Sequence, residues 1–279
     1  MATKFLGANI CIHAGGEDLR CPHHENEIAQ SESASGTTFV RHWMHVRFLL
    51  VEGKKMSKSE GNFYTLRDLL LKGYRASAIR FLLISVPYRH QMNFTFESLE
   101  ESKNAVDRLR TFHQRILKGG LPDGLDADVS AAASKAERDY TAALANDLNT
   151  AEARAAIFDL VRAANSAADA GALRAGNATE ILRVLSLFDG VFAVLQDNDA
   201  AITRAALTWA ESEGRIGEAA PELVATLSLS DADIDDLVAE RTLAKKSRNF
   251  ARADAIRNDL LSKDILIEDA KDGVRCKRK

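Results

Sequence analysis

Apolar residues recur at helical spacing through the middle of the chain, and this pattern constrains the fold more than any other feature. Between residues 96 and 118 the apolar positions share one helix face, at Leu99, Val106, Leu109, Phe112, Ile116 and Leu117. Further helices are predicted at about 130–145, 150–168 and 179–195, the second opened by Asn149 with Glu152 as a capping box. The pattern predicts a bundle of amphipathic helices around a shared apolar core.

The two ends of the chain follow different patterns. An apolar run at 8–13 leads into Gly15 and Gly16, and a helix is predicted after Pro22. A strand, a Gly-Gly turn and a helix start are typical of an α/β sheet that presents a ligand site at a strand's carboxyl end. Two helices at 231–246 and 249–262 precede a short strand at 265–267. The predicted fold class is mainly α, with a partial α/β (Rossmann-type) segment at the N-terminus, a helical bundle and a small α+β C-terminal domain.

Composition limits the classes of function. The chain has 279 residues, a formal net charge of -3 and three cysteines. This length favours about two domains, and the sparse cysteines indicate a reducing compartment rather than a disulfide scaffold. No segment has the length and apolarity of a membrane span or a secretory leader, so we expect a cytoplasmic protein with no membrane partner. Any contact with RNA must come from local basic patches.

A polar stretch at 53–62 contains three lysines and two serines between flanking glycines. Glycine permits the backbone angles of a mobile loop, and lysine supplies a compact charge suited to phosphate oxygens. One interpretation is a phosphate-binding loop built around its lysines. The other is an ordinary solvated hairpin tip, and the composition alone leaves both open.

A second polar stretch lies in the helix predicted after Pro22. His23 and Glu27 stand one helical turn apart on the same face. An imidazole and a carboxylate at this spacing can ligate one zinc ion, although a tetrahedral ion needs four ligands. An ordinary surface pair of His and Glu fits the same spacing, so the residues by themselves do not choose between the two.

Two strings carry a resemblance to a known family. Residues 55–59, KMSKS, match the loop of class I aminoacyl-tRNA synthetases, and residues 15–19 and 22–31 resemble cysteinyl-tRNA synthetases in particular. The resemblance implies a cysteine–tRNA ligase that binds ATP with magnesium, cysteine and tRNA-Cys. Lys55 and Lys58 would be its catalytic lysines, with Ser57 in the ATP-binding loop. In that family the lysines stabilise the triphosphate while the amino acid attacks the α-phosphorus.

The same resemblance implies a zinc ion that captures the substrate thiolate. Its ligands would include His23 and Glu27, while Asp18 and His13 match residues of the substrate pocket. Because a soft thiolate bonds zinc more strongly than a hydroxyl does, such a site selects cysteine over serine. The chain has cysteines at 11 and 21, and we hypothesise that one of them adds a thiolate ligand. Cys21 is the preferred candidate.

The C-terminal residues resemble the anticodon-reading domain of that family. Asp254 and Asp269 match the family's carboxylates that contact anticodon bases, and Lys245 stands at the position of its arginine. Lysine keeps the charge there but loses the bidentate fork. Cys276 replaces an aromatic residue that the family usually has. A solvated basic tail is the alternative for this segment.

These patterns divide the chain into five predicted segments. They are a remnant of the catalytic domain at 1–52, the lysine loop and connecting helices at 53–90, the tRNA-binding bundle at 91–200, a variable linker at 201–230 and the anticodon-binding domain at 231–279. No His-Ile-Gly-His-type ATP motif occurs in the sequence. We therefore expect ligase activity to be incomplete in this chain alone, and the alternative function is a non-catalytic tRNA-binding remnant.

Overall fold

The structure is a computed structural model that describes residues 2–227, 231–247, 249–262, 265–270 and 273–278. Side chains are described from residue 3 to 225, from 234 to 247, from 249 to 261 and from 265 to 267. The described chain forms two compact units, which we treat separately. The first comprises residues 1–63 and 78–195, and the second comprises residues 64–77 and 196–279.

The helices and strands follow one another along the chain with short connections. The helices are α1 (Ala2–Leu6), α2 (Glu25–Ser35), α3 (Leu66–Leu71), α4 (Ala76–Leu83), α5 (Phe96–Leu117), α6 (Ala127–Ala145), α7 (Thr150–Asp169), α8 (Ala175–Phe192), α9 (Asp199–Ser212), α10 (Pro221–Leu227), α11 (Asp231–Lys246) and α12 (Phe250–Ser262). The strands are β1 (Ile10–Gly16), β2 (Val40–Val46), β3 (Leu49–Val51), β4 (Lys54–Lys55), β5 (Met92–Phe94), β6 (Ile265–Ala270) and β7 (Gly273–Arg278). Among the described residues, no helix is both long and apolar enough to cross a bilayer.

The N-terminal segment of the first unit is a βαβ arrangement. Strands β1 and β2 pair in parallel, with Ile10 opposite Val40 and Gly16 opposite Val46, and α2 lies in the connection between them. A parallel pair requires such a crossover, and a helix is its usual form. The α/β segment expected from the sequence is therefore present. Its first strand continues through Gly15 and Gly16, however, where the sequence predicts a turn.

A second small sheet carries the lysine stretch. Strand β3 pairs antiparallel with β4 and parallel with β5, in the order β4-β3-β5. The hairpin between β3 and β4 has only two residues in its turn, Glu52 and Gly53, with φ of 50° and 76°. Two-residue hairpins favour positive φ at both positions because that geometry matches the strand twist. Gly53 adopts it without strain, and the turn sends the chain into Lys54 and Lys55.

The helical bundle predicted from the apolar pattern is the core of the first unit. The buried side chains come from α4 to α8. Six of them are fully buried: Leu109, Ile157, Ile181, Leu185, Phe188 and Phe192. The rings of Phe188 and Phe192 stack at 4.3 Å. Asn149 caps α7 as expected, because its Oδ1 accepts a hydrogen bond from the Glu152 amide at 3.2 Å.

The second unit contains helices in the stretch predicted as a linker and also part of the predicted segment 53–90. Residues 201–230 are predicted as a variable linker, but α9 runs to Ser212 and α10 covers Pro221–Leu227. Helix α9 forms because one of its faces is buried, through Ala206, Leu207 and Ala210. The predicted segment 53–90 is also divided, since residues 64–77 belong to the second unit and residues 78–90 to the first.

Two further contacts organise the second unit. The Asp199 carboxylate accepts hydrogen bonds from the Ser77 amide at 2.8 Å and the Ser77 hydroxyl at 2.6 Å, which ties residues 64–77 to the start of α9. Near the C-terminus, α11, α12 and β6 share a small apolar core, and β6 pairs antiparallel with β7. The small α+β domain expected from the sequence is therefore present.

Truncation of Phe188 tests the bundle core. Phe188→Ala should lower the free energy of unfolding by about 3–5 kcal/mol, because it leaves a cavity in a fully buried position. Leu187→Ala is the matched control, since this neighbouring side chain is 44% exposed, and its effect should stay within about 0.5 kcal/mol. Urea unfolding followed by circular dichroism measures both. Equal midpoints for the two variants would contradict this assignment of the core.

Candidate active site

His24 is the most buried residue of the polar cluster between β1, β2 and α2. It is 3% exposed and ends the short helical turn Arg20–His24 that leads into α2. Its ring centroid lies 4.8 Å from that of Trp43 and 4.9 Å from that of His13. Its Nδ1 lies 2.8 Å from Nε2 of His45. The i, i+4 pattern does not select His24 as a site residue, although Trp43 and His45 alternate on β2 and so share one face of the strand.

Gly15 at the end of β1 makes room for this cluster. A Cβ at Gly15 would lie 2.8 Å from Cε1 of His24, and a Cβ at Gly16 would contact Oδ1 of Asp18. Neither glycine has positive φ. Close approach of the His24 ring to the strand therefore explains Gly15, whereas the sequence pattern predicts a turn.

Glu27 brings its carboxylate to this cluster from the first turn of α2. Ligand atoms of His13, His24 and Glu27 all lie within 4.8 Å of one another. Oε2 of Glu27 is 3.5 Å from Nε2 of His13, yet it is buried and makes no hydrogen bond. A buried carboxylate oxygen without a hydrogen bond is costly, and a bound cation would satisfy it. Two imidazoles and a carboxylate are also ligands that zinc accepts, so the residues fit a zinc ion.

The electrostatics of His24 favour the form that binds metal. Burial, followed by the neighbouring His13 and His45, lowers the pKa of His24 below its usual value, so the ring is neutral at pH 7. When the N–H at Nδ1 of His24 donates a hydrogen bond to Nε2 of His45, the lone pair on Nε2 of His24 is free for a ligand. A hydrogen bond from the ring nitrogen that does not face the metal is the usual way in which a protein fixes the tautomer of a metal-binding histidine.

The structure separates the other predicted residues of this region. His23 lies beside the group rather than in it: its Nε2 is 3.8 Å from Oε1 of Glu27, and its side chain is 61% exposed. Cys11 and Cys21 are exposed free thiols, and neither belongs to the three-residue group. Asp18 is exposed just beyond the end of β1. Glu27 and His13 are thus the two predicted residues that the structure brings together.

The lysine loop is anchored by Asn62. Oδ1 of Asn62 accepts a hydrogen bond from the Ser57 amide at 2.9 Å, and its Nδ2 donates to the Lys55 carbonyl at 3.1 Å. The hydroxyls of Ser57 and Ser59 are 2.9 Å apart. These contacts close the stretch into a compact loop at the end of the β3–β4 hairpin.

Both lysines of the predicted site are exposed on this loop. Nζ of Lys58 lies 5.5 Å from the centroid of the Phe63 ring. Among the residues that the structure describes, neither Lys55 nor Lys58 forms an ion pair with a carboxylate. No described carboxylate therefore neutralises their charges, and both lysines can interact with an anion. No hydrogen bond of the described residues joins this loop to the His13–His24–Glu27 group.

The predicted anticodon-contacting residues lie in the second unit. Lys245 is exposed in the last turn of α11, and Asp254 is exposed in the first half of α12. Asp269 pairs with Val274 in the β6–β7 hairpin, but its side chain and that of Cys276 lie outside the described residues. The ion pair between Arg252 and Glu240, at 2.8 Å, links the two helices.

Comparison with known families gives the class of protein to which this site belongs. Residues 1–104 match the sequence profile of the tRNA synthetases class I (C) catalytic domain, and residues 139–196 match that of the DALR domain. The first match contains the histidine cluster and the lysine loop, and the second covers α7 and α8 with the end of α6. The domains are thus those of a class I aminoacyl-tRNA synthetase.

Comparison with individual relatives identifies the family within this class. The chain is 50% identical over 282 residues to the cysteine–tRNA ligase of Koribacter versatilis, covering 100% of this chain and 57% of the relative. It is 49% identical over 279 residues to that of Solibacter usitatus, covering 100% and 54%. The chain belongs to the cysteine–tRNA ligase family, and it spans about half the length of the curated relatives it matches.

A solved structure shares the fold at low sequence identity. The LeuRS chain of a LeuRS–tRNA–LeuAMS ternary complex from Agrobacterium radiobacter K84 matches 71% of this chain and 27% of its own length, with a TM-score of 0.51 and 14% identity. At this identity the match concerns the fold alone. It agrees with the fold class predicted from the sequence.

The anchoring role of Asn62 can be tested directly. Asn62→Ala removes the acceptor of the Ser57 amide and the donor to the Lys55 carbonyl, so the loop should open more often. Hydrogen–deuterium exchange of peptides spanning residues 53–63 should become faster, while peptides from α5 should stay unchanged. Glu60→Gln is the control, because the Glu60 carboxylate makes no hydrogen bond among the described residues. Unchanged exchange in the Asn62 variant would contradict the anchoring role.

Proposed function

We propose that this chain contributes the lysine loop, the metal-ligand cluster and the tRNA-binding helices of a cysteine–tRNA ligase. In that reaction cysteine and ATP give cysteinyl-adenylate and pyrophosphate, and the cysteinyl group then passes to the 3′ end of tRNA-Cys. The observation that carries the proposal is the 50% identity over the whole chain to a cysteine–tRNA ligase, with the Lys-Met-Ser-Lys-Ser loop intact.

The lysine loop supplies the electrostatic part of the proposed reaction. Charge builds up on the β- and γ-phosphates of ATP as pyrophosphate leaves, and positioned cations lower the free energy of that transition state. Within the described part of the chain, the exposed ammonium groups of Lys55 and Lys58 have no carboxylate partner, and this supports their assignment as phosphate contacts. We assign the more direct contact to Lys58, with Lys55 and Ser57 in the same ATP-binding loop.

The cluster around Glu27 supplies the selection of cysteine. A zinc ion held there would bind the substrate thiolate and discriminate against a hydroxyl. Glu27 belongs to the ligand set implied by the family resemblance, with His23, and also to the geometric group with His13 and His24. In the set implied by the resemblance, Cys21 is a further candidate ligand, while Asp18 and His13 hold the substrate. The orphaned Oε2 of Glu27 supports a cation at this position under either set.

The helical parts supply the contacts with tRNA. We assign the bundle of α5 to α8 to binding along the tRNA body, and Lys245, Asp254 and Asp269 to the anticodon. Carboxylates can accept hydrogen bonds from base amino groups, and a lysine can donate to base acceptors in an unstacked loop. The exposure of Lys245 and Asp254 is consistent with this role.

Pyrophosphate exchange tests the proposed reaction. Any cysteine-dependent exchange of labelled pyrophosphate into ATP that this chain supports should fall by about 100-fold or more in Lys58→Ala, because removal of one electrostatic contact to developing charge costs on this scale. Lys54→Ala is the matched control, since Lys54 is exposed on the same hairpin but lies outside the motif. Its exchange rate should remain close to that of the unmodified protein.

The outcome also separates the two functions that the sequence leaves open. Exchange that depends on cysteine and on Lys58 would establish the ligase chemistry. Absence of exchange together with specific binding of tRNA-Cys in a filter assay would contradict it and favour the non-catalytic tRNA-binding function.

Zinc content tests the proposed metal site. After dialysis with zinc and then against buffer, the protein should retain about one equivalent, and Glu27→Gln should lose most of it because Glu27 is common to both ligand sets. His23→Ala distinguishes the two sets: loss of zinc favours the set implied by the resemblance, and retention favours His13, His24 and Glu27.

The metal measurement has its own control and its own contradictory result. Cys21→Ala reports whether the exposed thiol acts as an additional ligand. The same zinc content in Glu27→Gln as in the unmodified protein, or no retained zinc in the latter, would contradict the proposed site.

A further inference from the structure

A cavity of about 560 Å³ lies among α4, α5 and α7 of the first unit, away from the histidine cluster and the lysine loop. Its apolar wall contains Phe81 and Phe158, and three arginines line it: Arg108, Arg154 and Arg162. The size is within the range of small-ligand sites, about 300–1,000 Å³. The proposed ligase reaction does not use these residues.

Two of the three guanidinium groups rest on aromatic rings instead of carboxylates. The guanidinium carbon of Arg154 is 5.4 Å from the centroid of the Phe81 ring, and that of Arg108 is 5.4 Å from the centroid of Phe158. Among the described residues, neither guanidinium makes an ion pair or a hydrogen bond. Arg162 differs, because it is paired with Asp159 at 2.6 Å. The cavity therefore holds two cations whose N–H donors are unused.

Arg154 carries a free-energy cost in this position. Its side chain is partly buried, and desolvation lowers the pKa of its guanidinium below the usual value. A cation–π contact offsets only part of the lost hydration. A guanidinium has five N–H donors in a planar fork, and this fork matches the oxygens of a phosphate or carboxylate. An anion in the cavity would satisfy donors that the protein leaves unsatisfied.

The neighbouring cavity shows what a neutralised arginine looks like in the same bundle. This second cavity, about 640 Å³, adjoins the first through Arg108 and Arg162. There Arg115 donates to Asp169 at 2.7 Å and to Asn165 at 2.9 Å. Among the described residues, Arg115 therefore has acceptors, whereas Arg108 and Arg154 have none.

The remaining polar groups of the first cavity leave it positively charged. The arginines contribute three positive charges, and Glu101 and Asp159 are the carboxylates that line the cavity. Since Asp159 is taken by Arg162, the two unpaired guanidiniums face one carboxylate. Ser85 and Ser102 add hydroxyl donors to the lining. Hydroxyls and arginine forks together are typical of phosphate sites.

We propose that this cavity is a phosphate-binding site, with Arg154 and Arg108 as its ligands. The proposal rests on the proposed function for its preferred source of phosphate, the backbone of a bound tRNA, while a free phosphate or pyrophosphate ion has the same chemistry. The site deepens the proposed function because it assigns a defined RNA-backbone contact to the helical bundle.

Two measurements on the full chain test the site. Isothermal titration with pyrophosphate in phosphate-free buffer should show binding that weakens by about tenfold in Arg154→Met and in Arg108→Gln, as expected for loss of a charged hydrogen bond. Filter binding of tRNA-Cys over a salt series should show weaker binding in the same variants, with a salt slope smaller by about one. Arg154→Lys keeps the charge but loses the bidentate fork, so its affinities should lie between those of the unmodified protein and those of Arg154→Met.

The control variant removes an arginine elsewhere in the bundle. Arg138 is exposed on α6 and lies outside the lining of both cavities, so Arg138→Gln should leave pyrophosphate binding unchanged. Circular dichroism melting identifies variants that lose the fold. Arg108 is exposed, so Arg108→Gln should preserve the fold. This variant still tests the site if Arg154→Met proves unstable.

Each result has a defined meaning. Loss of pyrophosphate and tRNA affinity in the cavity variants supports the site with RNA as the source of phosphate, and loss of pyrophosphate affinity alone supports it with a free ion. Affinities unchanged in both cavity variants, or reduced equally by Arg138→Gln, would overturn the proposal. A chain that binds pyrophosphate through Arg154 but binds no tRNA would contradict the proposed function and leave this site standing.

Discussion

The contacts between the half-buried carboxylate of Glu27 and the imidazoles around it determine the form of the N-terminal segment. Glu27 is in the first turn of α2, His13 is on β1, and His24 ends the turn between them. Bringing these groups together fixes the distance from the helix to the sheet. It also excludes a side chain at position 15, where a Cβ would collide with His24. One polar contact thus accounts for the local backbone and for the only three-residue metal-ligand group of the described residues.

The sequence predicts what depends on local periodicity and on short motifs. The bundle helices follow from apolar spacing, and Asn149 caps its helix as the motif indicates. The metal-ligand group is harder to predict, because it depends on packing between β1, β2 and α2. An i, i+4 pattern selects His23 with Glu27, whereas tertiary contact adds His24, which is next to His23 in sequence but faces the interior. Trp43 and His45 on alternate positions of β2 are the sequence signal for that buried face.

The stretch 201–230 shows a different limit of sequence analysis. Alanine-rich segments with few large apolar residues have weak periodicity, so α9 gives little signal. Its stability comes from tertiary contacts: Leu207 and Ala210 are buried, and Asp199 is bound by Ser77, 122 positions earlier in the chain. No local pattern contains a partner at that separation. The same reason explains why residues 64–77 belong to the second unit, although they directly follow the lysine loop.

The distribution of paired and unpaired cations connects the fold to its proposed partners. With a net charge of -3, the chain has no general attraction for polyanions, so specific sites must provide it. Many arginines are neutralised by the protein itself, such as Arg47 by Glu17 at 3.1 Å. Lys55 and Lys58 on the loop, and Arg108 and Arg154 in the bundle, have no such carboxylate among the described residues. An anion at these positions displaces no partner among the described residues and satisfies donors that folding leaves unused.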